Sequence, residues 1–263
     1  MITAYSNFDS LGLTTLRVDG VNRRFNSSAG QCTPVLQGIT FEAKAGEFLV
    51  VRGPNGCGKS TLMNLLAGLD TTSGGRVFVN QGHSSQASVG YLFQDYSGSL
   101  LPWMTLGENA TLPLKLKGIS RSQRRGILFA LADDTSLAPL PFDHYPFQCS
   151  GGQQQKACFL RSLLASETFL ILDEPFASLD RNSRDKIIER LNKMHASGRA
   201  LVLLVLHDLD DAILLADRIL CLDGSPATIR DDVPVNLPWP RGPAMRVESQ
   251  FLDIRKRVLE SFG

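Results

Sequence analysis

The chain has 263 residues, of which 43% are hydrophobic and 20% are charged, a composition typical of a globular protein with a sizeable core. Its 27 Lys and Arg almost balance its 26 Asp and Glu, and the formal net charge of +1 argues against a nucleic-acid-binding protein. The longest apolar run, residues 200–206, is too short to cross a bilayer, and no signal peptide is evident. The five cysteines are scattered and form no CxxC pair, which favours a reducing compartment.

The first third of the chain predicts strands on both sides of a glycine-rich turn. Residues 16–21 and 39–41 predict two short strands, separated by the polar, turn-rich residues 26–33. Residues 47–52 predict a strand that leads into the turn, and residues 59–69 predict the helix that leaves it. Residues 76–79 and 88–93 predict two further strands.

The turn contains the phosphate-binding pattern GxxxxGK[ST]. The pattern is formed by Gly53, Pro54, Asn55, Gly56, Cys57, Gly58, Lys59 and Ser60. Glycines are needed because backbone N–H groups must curl around phosphates without an obstructing Cβ, and the following helix adds the positive end of its dipole. We expect Lys59 to reach the β- and γ-phosphates of a nucleotide, Ser60 to bind Mg²⁺ and Thr61 to add a phosphate contact.

The middle of the chain predicts an inserted helical lobe. Residues 95–146 contain helical segments broken by prolines and by Gly118. Ser150, Gly151, Gly152 and Gln153 then open a helix that Ser150 can cap. Taken alone, a helix N-cap is the simplest explanation of that serine.

Two carboxylates, Asp173 and Glu174, end a buried strand predicted at residues 168–172. A helix at residues 183–196 and a strand at residues 201–206 follow, and this alternation predicts a parallel sheet covered on both faces. Ligand chemistry in such sheets occurs at the carboxyl ends of the strands. We therefore expect Asp173 to hold a metal, directly or through water, and Glu174 to act as a general base. Beyond residue 225 the chain is proline-rich and predicts a short final helix near residues 251–259.

Taken in order, these motifs resemble those of the ABC ATPase family over about residues 16–222. The motifs are the phosphate loop, Gln94, the segment Ser150–Gln153, the acidic pair, Ser178-Leu179-Asp180 and His207. The resemblance implies an α/β P-loop NTPase core of the ABC ATPase type with an antiparallel β subdomain and an inserted helical subdomain. It implies an ATPase domain over residues 1–224, with the lobe at about 95–160, and a tail over residues 225–263.

In that family two subunits face each other head to tail with ATP between them. The resemblance implies ATP hydrolysis with Mg²⁺, carried out by Lys59, Gln94, Glu174 and His207. It implies that Ser150, Gly151, Gly152 and Gln153 contact the ATP held by the second subunit. The remaining implied roles are Gln94 linking Mg²⁺ and water to the lobe, Asp180 communicating across the dimer, His207 contacting the γ-phosphate and Phe25 stacking on adenine.

Three residues depart from the family pattern without removing a catalytic group. Cys149 replaces the usual leucine before the signature serine, Leu206 replaces the threonine that commonly precedes the histidine, and Cys57 lies inside the phosphate loop. Because both cysteines would lie near helix N-termini, we expect lowered thiol pKa values and ready modification. For Cys149 the alternative is that it fills the apolar niche of the leucine.

The stretch at residues 100–109, Leu-Leu-Pro-Trp-Met-Thr and then Glu108-Asn109, resembles the nitrate, sulfonate and taurine importer ATPases. This implies import of a small anionic solute, with bicarbonate as a further candidate. The implied partners are a second ATPase subunit, permease subunits and an extracytoplasmic solute-binding protein, but no nucleic acid, with the chain at the cytoplasmic face of the inner membrane. Trp103 is expected to help form the groove that receives the permease; the alternative is a core aromatic. The rival functions are a soluble ABC ATPase acting on a macromolecular complex and a regulatory ATP-binding domain without turnover.

Overall fold

The computed structural model describes residues 14–26, 32–80 and 88–262. The strands are β1 (Thr15–Asn26), β2 (Cys32–Lys44), β3 (Phe48–Arg52), β4 (Gly74–Asn80), β5 (Gly90–Leu92), β6 (Phe169–Asp173), β7 (Leu201–Val205), β8 (Arg218–Gly224) and β9 (Ala227–Pro234). The helices are α1 (Lys59–Leu66), α2 (Leu106–Ala110), α3 (Leu112–Leu116), α4 (Arg121–Asp134), α5 (Gly151–Ala165), α6 (Arg181–Ser197), α7 (Leu209–Leu215) and α8 (Ser249–Glu260). Among these described residues, no helix is both long and apolar enough to cross a membrane.

Five strands form the predicted parallel sheet, in the order β8-β3-β7-β6-β5. Every residue of β6 and β7 is buried, because helices cover both faces of a parallel sheet. The carboxyl ends of β3, β6 and β7 lie at the same edge of this sheet. The phosphate loop, Glu174 and His207 therefore emerge side by side.

A second group of strands, β4-β1-β2, is antiparallel and continues the sheet beyond the hairpin of β8 and β9. The short strands predicted at residues 16–21 and 39–41 are parts of the much longer β1 and β2. Strand β2 meets β9 in parallel where Leu36 lies opposite Ala227. The sheet thus extends past the boundary predicted at residue 224, which falls at the tip of the β8–β9 hairpin.

Helices α2 to α4 form the lobe inserted between β5 and α5, and their apolar residues join the core that lies under β5 and β6. Threonine 105 caps α2 with a capping box in which Glu108 is the reciprocal residue. Helix α5 continues to Ala165, so the lobe and the parallel sheet share this helix. The predicted α/β core with an antiparallel β subdomain and a helical subdomain is confirmed.

Residues 235–262 pack against the core. The α8 side chains Phe251 and Val258 are fully buried. The buried Arg241 donates hydrogen bonds to four backbone carbonyls, two at the end of α7 and two at residues 235 and 237. Burial lowers the pKa of Arg241 to about 10. The proline-rich segment therefore helps to hold α7 in place.

Candidate functional site

The phosphate loop connects β3 to α1 and takes a shape that only glycine permits at two positions. Gly58 precedes α1 with φ of 109°, and a Cβ there would lie 2.9 Å from Val35 Cγ1 and 3.0 Å from Leu36 Cδ2. A Cβ on Gly53 would lie 2.5 Å from the carbonyl oxygen of Leu222. The loop is thus pressed against β2 on one side and β8 on the other.

Lys59 lies at the start of α1 with only 8% of its surface exposed. Its Nζ donates hydrogen bonds to the carbonyl oxygens of Gly53 and Pro54, each at 2.9 Å. The ammonium group is therefore inside the loop that precedes it. Pro54, Asn55 and Gly56 are exposed, so the outer edge of the loop is open to solvent.

Asp173 is the last residue of β6 and is 2% exposed. Its Oδ1 atom is buried without a hydrogen-bond partner among the described residues, while the Ser60 hydroxyl hydrogen-bonds to the carboxylate. Burial raises the pKa of Asp173, and the Ser60 hydrogen bond opposes that rise. A buried carboxylate oxygen without a partner is costly unless a ligand binds it.

Glu174 follows in a left-handed backbone conformation, with φ of 54°. For a residue other than glycine this conformation costs about 1–2 kcal/mol, and such strain is concentrated at functional sites. Its Oε1 atom lies 2.9 Å from Gln94 Nε2 and 2.6 Å from His207 Nε2. Three predicted site residues that are far apart in sequence therefore meet at one carboxylate oxygen.

Gln94 follows β5 and lines a groove of about 500 Å³. The same groove is lined by Ser60 and Asp173. The phosphate loop, the acidic pair and Gln94 are thus one continuous site at the carboxyl edge of the parallel sheet.

The segment Ser150–Gln153 forms the predicted N-terminus of α5. Ser150 Oγ accepts the Gln153 backbone N–H at 3.3 Å, and Gln153 Oε1 accepts that of Ser150 at 2.9 Å, completing a capping box. A Cβ on Gly151 would lie 2.8 Å from the Tyr96 hydroxyl, and one on Gly152 would lie 3.0 Å from the Ser178 carbonyl oxygen. The two glycines therefore permit close contact with the residues that follow Gln94 and Glu174.

Asp180 is the N-cap of α6. Its carboxylate accepts hydrogen bonds from the backbone N–H of Ser183 at 2.9 Å and from the Ser183 hydroxyl at 2.7 Å, and these bonds lower its pKa. Its Oδ2 also lies 3.8 Å from Lys156 Nζ. In this chain the predicted cross-dimer residue has a clear local role as a helix cap.

Phe25 lies on β1, opposite Thr33 of β2, with 43% of its surface exposed. The Arg23 guanidinium lies 4.4 Å from the centroid of its ring. Strand β2 contacts the phosphate loop, because its Val35 and Leu36 lie beside Gly58. Phe25 is on β1, the strand paired with β2. Apart from this contact with Arg23, much of the ring is exposed.

The predicted lowering of the cysteine pKa values is wrong. Burial raises the pKa of the Cys57 thiol, and nearby Lys59 only partly offsets this. Burial also raises the pKa of Cys149, which is half-buried and packs against the main core. Cys149 therefore follows the alternative expectation that it fills an apolar niche.

Gln155, which was not among the predicted site residues, joins two parts of the site. It is 1% exposed; its Nε2 donates to the Glu174 carbonyl oxygen at 3.2 Å, and its Oε1 accepts the Ser178 N–H at 3.0 Å. The signal was present, since residue 155 lies on the apolar face of α5 with Cys158 and Phe159. A glutamine on a buried stripe needs polar partners.

Arg52, the last residue of β3, also has a role in the site that the sequence did not predict. Its Nη1 donates to the His207 carbonyl oxygen at 2.6 Å, which ties the loop of His207 to the strand before the phosphate loop. Burial lowers the pKa of Arg52, and the nearby Asp208 opposes this. A basic residue at the end of an otherwise apolar strand was the only sign of this role.

Trp103 lies on the lobe with 71% of its surface exposed, so it is not a core aromatic. The loop that carries it is held by the fully buried Asn109. The Asn109 amide accepts the Leu101 N–H at 2.8 Å and donates to the carbonyl oxygens of Leu101, Met104 and Thr105 at 3.0–3.1 Å. This loop presents a large apolar side chain on a rigid support.

Comparisons with known proteins agree on one family. The family model described as ABC transporter matches residues 36–177. The aliphatic sulfonates import ATP-binding protein SsuB of Bacillus cereus is 34% identical over 252 residues, covering 94% of this chain and 96% of that protein. SsuB of Bacillus licheniformis is 35% identical over 244 residues, covering 92% of each. An uncharacterized ABC transporter ATP-binding protein of Methanocaldococcus jannaschii is 35% identical over 246 residues, 93% of this chain and 90% of that protein.

Among solved structures, this chain is similar to a dimeric ATP-binding cassette in a post-hydrolysis state bound to ADP and Pi. The TM-score is 0.75 at 26% identity, with 85% of this chain and 100% of that chain covered.

Proposed function

Because the chain belongs to the ABC transporter family and is an ATPase of that family, we propose that it is the ATP-hydrolysing subunit of an importer of small organic or inorganic anions, sulfonates first. The observation that supports the catalytic part of this proposal is the meeting of Gln94, Glu174 and His207 at one carboxylate oxygen. The groove beside it gives this cluster access to a ligand held by the phosphate loop.

ATP binds with its phosphates against residues 53–61 and its adenine against Phe25. The backbone N–H groups of the loop and the N-terminus of α1 face the negative charge. Lys59 exchanges its two carbonyl partners, on Gly53 and Pro54, for phosphate oxygens. Thr61, half-buried on α1, adds a hydroxyl.

Mg²⁺ fits the donors beside the phosphate loop. The Ser60 hydroxyl, the Asp173 carboxylate and the Gln94 amide are oxygen donors of the kind that Mg²⁺ takes, and the unpartnered Oδ1 of buried Asp173 is explained by such an ion or one of its waters. When bound, the ion neutralises charge on the β- and γ-phosphates.

Glu174 takes the proton of the attacking water. Gln94 and His207 both contact its Oε1, so they fix the direction of the carboxylate while Oε2 can accept a proton. His207, with 53% of its side chain exposed, can turn toward the γ-phosphate. Gln94 transmits the state of the nucleotide to the lobe, because it directly precedes that part of the chain.

A second subunit completes the site. The exposed N-terminus of the 15-residue helix α5, with Ser150, Gly151, Gly152 and Gln153, faces the ATP held by the other subunit. The dimeric arrangement of the similar cassette bound to ADP and Pi supports this geometry. Asp180, besides capping α6, lies next to the same contact between subunits.

The importer assignment depends on the lobe and on the sulfonate-import relatives, whose similarity covers more than nine-tenths of the chain. Trp103 is the apolar anchor for a permease subunit, since a large exposed aromatic on a rigid loop is typical of an interface hot spot. A solute-binding protein outside the membrane completes the complex, and this chain lies at the cytoplasmic face of the membrane.

Co-purification with the permease tests the proposal. Trp103→Ala is expected to weaken the complex while the isolated subunit hydrolyses ATP as before, and Leu252→Ala, which removes a 47% exposed apolar side chain on α8, is the matched control. In the reconstituted complex, the rate of ATP hydrolysis is then measured with the binding protein loaded in turn with ethanesulfonate, taurine, nitrate or bicarbonate, and the four rates are compared. If the chain does not associate with a permease but co-purifies with a soluble assembly that stimulates it, the importer assignment is wrong.

A further inference from the structure

Two loops of the proposed site are each followed at once by a helix. Residues 178–180 lead into α6, and His207 leads into α7. Each helix is capped by an aspartate, Asp180 in one case and Asp208 in the other. The first turns of α6 and α7 therefore help to determine where the two loops lie relative to each other, together with Arg52 and Gln155.

Asp211 connects these two first turns. It lies in the first turn of α7, where its backbone N–H donates to Asp208 Oδ1 at 2.9 Å, and its side chain is 2% exposed. Its Oδ2 forms an ion pair with Nη2 of Arg184, which lies in the first turn of α6. The Arg184 guanidinium also lies 5.6 Å from the ring centroid of Phe176, two residues after Glu174.

The other oxygen of Asp211 is held by the C-terminal segment. Arg246, in the 3₁₀ helix Pro243–Val247, places Nη2 3.3 Å from Asp211 Oδ1. Among the described residues, the next arginine, Arg255 of α8, contacts Asp210 and not Asp211. Its Nε lies 3.1 Å from Asp210 Oδ1. A carboxylate this deeply buried needs compensation of its charge, and here each oxygen has one guanidinium partner.

We propose that Asp211 is a positioning residue that fixes the loop of Glu174 to Asp180 relative to His207, and that Arg246 makes the C-terminal segment part of this device. The inference rests on the proposed function of that site. If Arg246 is removed, Asp211 keeps one partner and a less defined position. The chemistry of the site then slows while the phosphate loop, on a different helix, binds ATP as before.

The test compares kcat, ATP affinity and thermal unfolding for the full-length chain with Arg246→Ala, and with Arg255→Ala as the matched control. Arg246→Ala is expected to lower kcat roughly three- to thirtyfold with ATP affinity unchanged, as positioning changes at a distance do. Arg246→Lys should recover part of the loss, and Arg255→Ala should match the unmodified chain. In an Asp211→Asn background, Arg246→Ala should have a smaller further effect, because the charged acceptor is already lost and only a neutral amide oxygen remains.

The proposal is overturned if Arg246→Ala leaves kcat unchanged, if it changes ATP affinity instead, or if Arg255→Ala has the same effect, since that would indicate general packing of the segment. Should Asp211→Asn fail to fold, the comparison of Arg246→Ala, Arg246→Lys and Arg255→Ala still decides. Glu174→Gln separates the two levels. If that variant keeps its turnover, the proposed function fails; if it is inactive and Arg246→Ala is normal, only this inference fails.

Discussion

Glu174→Gln replaces the proposed general base by a side chain of the same shape. In the structure Oε1 of Glu174 accepts from Gln94 Nε2 at 2.9 Å and contacts His207 Nε2 at 2.6 Å, and an amide oxygen at the same position can accept from both. The substitution therefore preserves the local contacts but removes the group that can take a proton from water.

The expected losses in stability and in rate differ in size. Hydrogen bonds to a neutral acceptor contribute about 1 kcal/mol less than those to a charged one, so two of them amount to a stability loss of at most about 2 kcal/mol. Loss of a general base lowers the rate about 10²- to 10⁴-fold, which corresponds to about 3–5 kcal/mol in the barrier. If hydrolysis is the step that separates the proposed ATP-bound dimer, that dimer should accumulate in the variant.

Phosphate release, thermal unfolding and size-exclusion chromatography in ATP and Mg²⁺ measure the three effects. Glu167→Gln is the matched control, since Glu167 is exposed just before the same strand, at its opposite end from the site. Turnover of Glu174→Gln equal to that of Glu167→Gln, in a protein that stays monomeric with ATP, would refute the role of Glu174.

Three further predictions concern the loop, the lobe and the cysteines. Gly58→Ala should destabilise the chain by about 1–3 kcal/mol more than Gly68→Ala in urea unfolding. Both glycines have positive φ, but only Gly58 has neighbours within 3.0 Å of an added Cβ, and equal losses would contradict this. Asn109→Ala should cost about 2–4 kcal/mol in the same assay, since it leaves buried carbonyl groups unpaired, and a loss below 1 kcal/mol would be too small for that role. Because burial raises the pKa of Cys57, its thiolate fraction at pH 7 is lowered, and its maleimide labelling should be slow there, rise with pH and lag behind that of the exposed Cys32. Labelling of Cys57 first at pH 7 would be inconsistent with the buried thiol.

The parts of the fold that were predictable from the sequence are those in which local chemistry leaves one solution. The phosphate loop needs glycines before a helix, so the pattern at residues 53–60 also predicts β3 and α1. The strand before Asp173 is a run of apolar residues that only a sheet covered on both faces would bury. The capping box at Ser150 follows from a serine and a glutamine three residues apart.

The parts that were not predictable depend on contacts distant in sequence. Strand β9 alternates between an inner and an outer face, but Asp231 interrupts its apolar positions and only Ala227 and Val233 are fully buried. The sequence signal is therefore weak, and pairing with β8 and β2 makes the segment a strand. The pair of Arg184 with Asp211 spans 27 residues and depends on how two helices pack. The error for Cys57 has the same origin, since its proximity to a helix N-terminus is visible in the sequence and its burial is not.

The junction of β2 with β9 has a mechanical consequence. Along the described lengths of both strands, Leu36 opposite Ala227 is the one position at which they pair, although apolar residues on either side belong to one continuous cluster. Apolar packing resists separation of this junction, while the single pair and the hydrogen bond from Arg218 to the Glu42 carbonyl oxygen restrain rotation less than a full ladder would. We therefore expect the β4-β1-β2 group, which carries Phe25, to turn about Leu36 more readily than the strands of the parallel sheet move against one another. Amide hydrogen exchange at residue 36 and its neighbours should then slow when a bound nucleotide contacts both the β4-β1-β2 group and the parallel sheet.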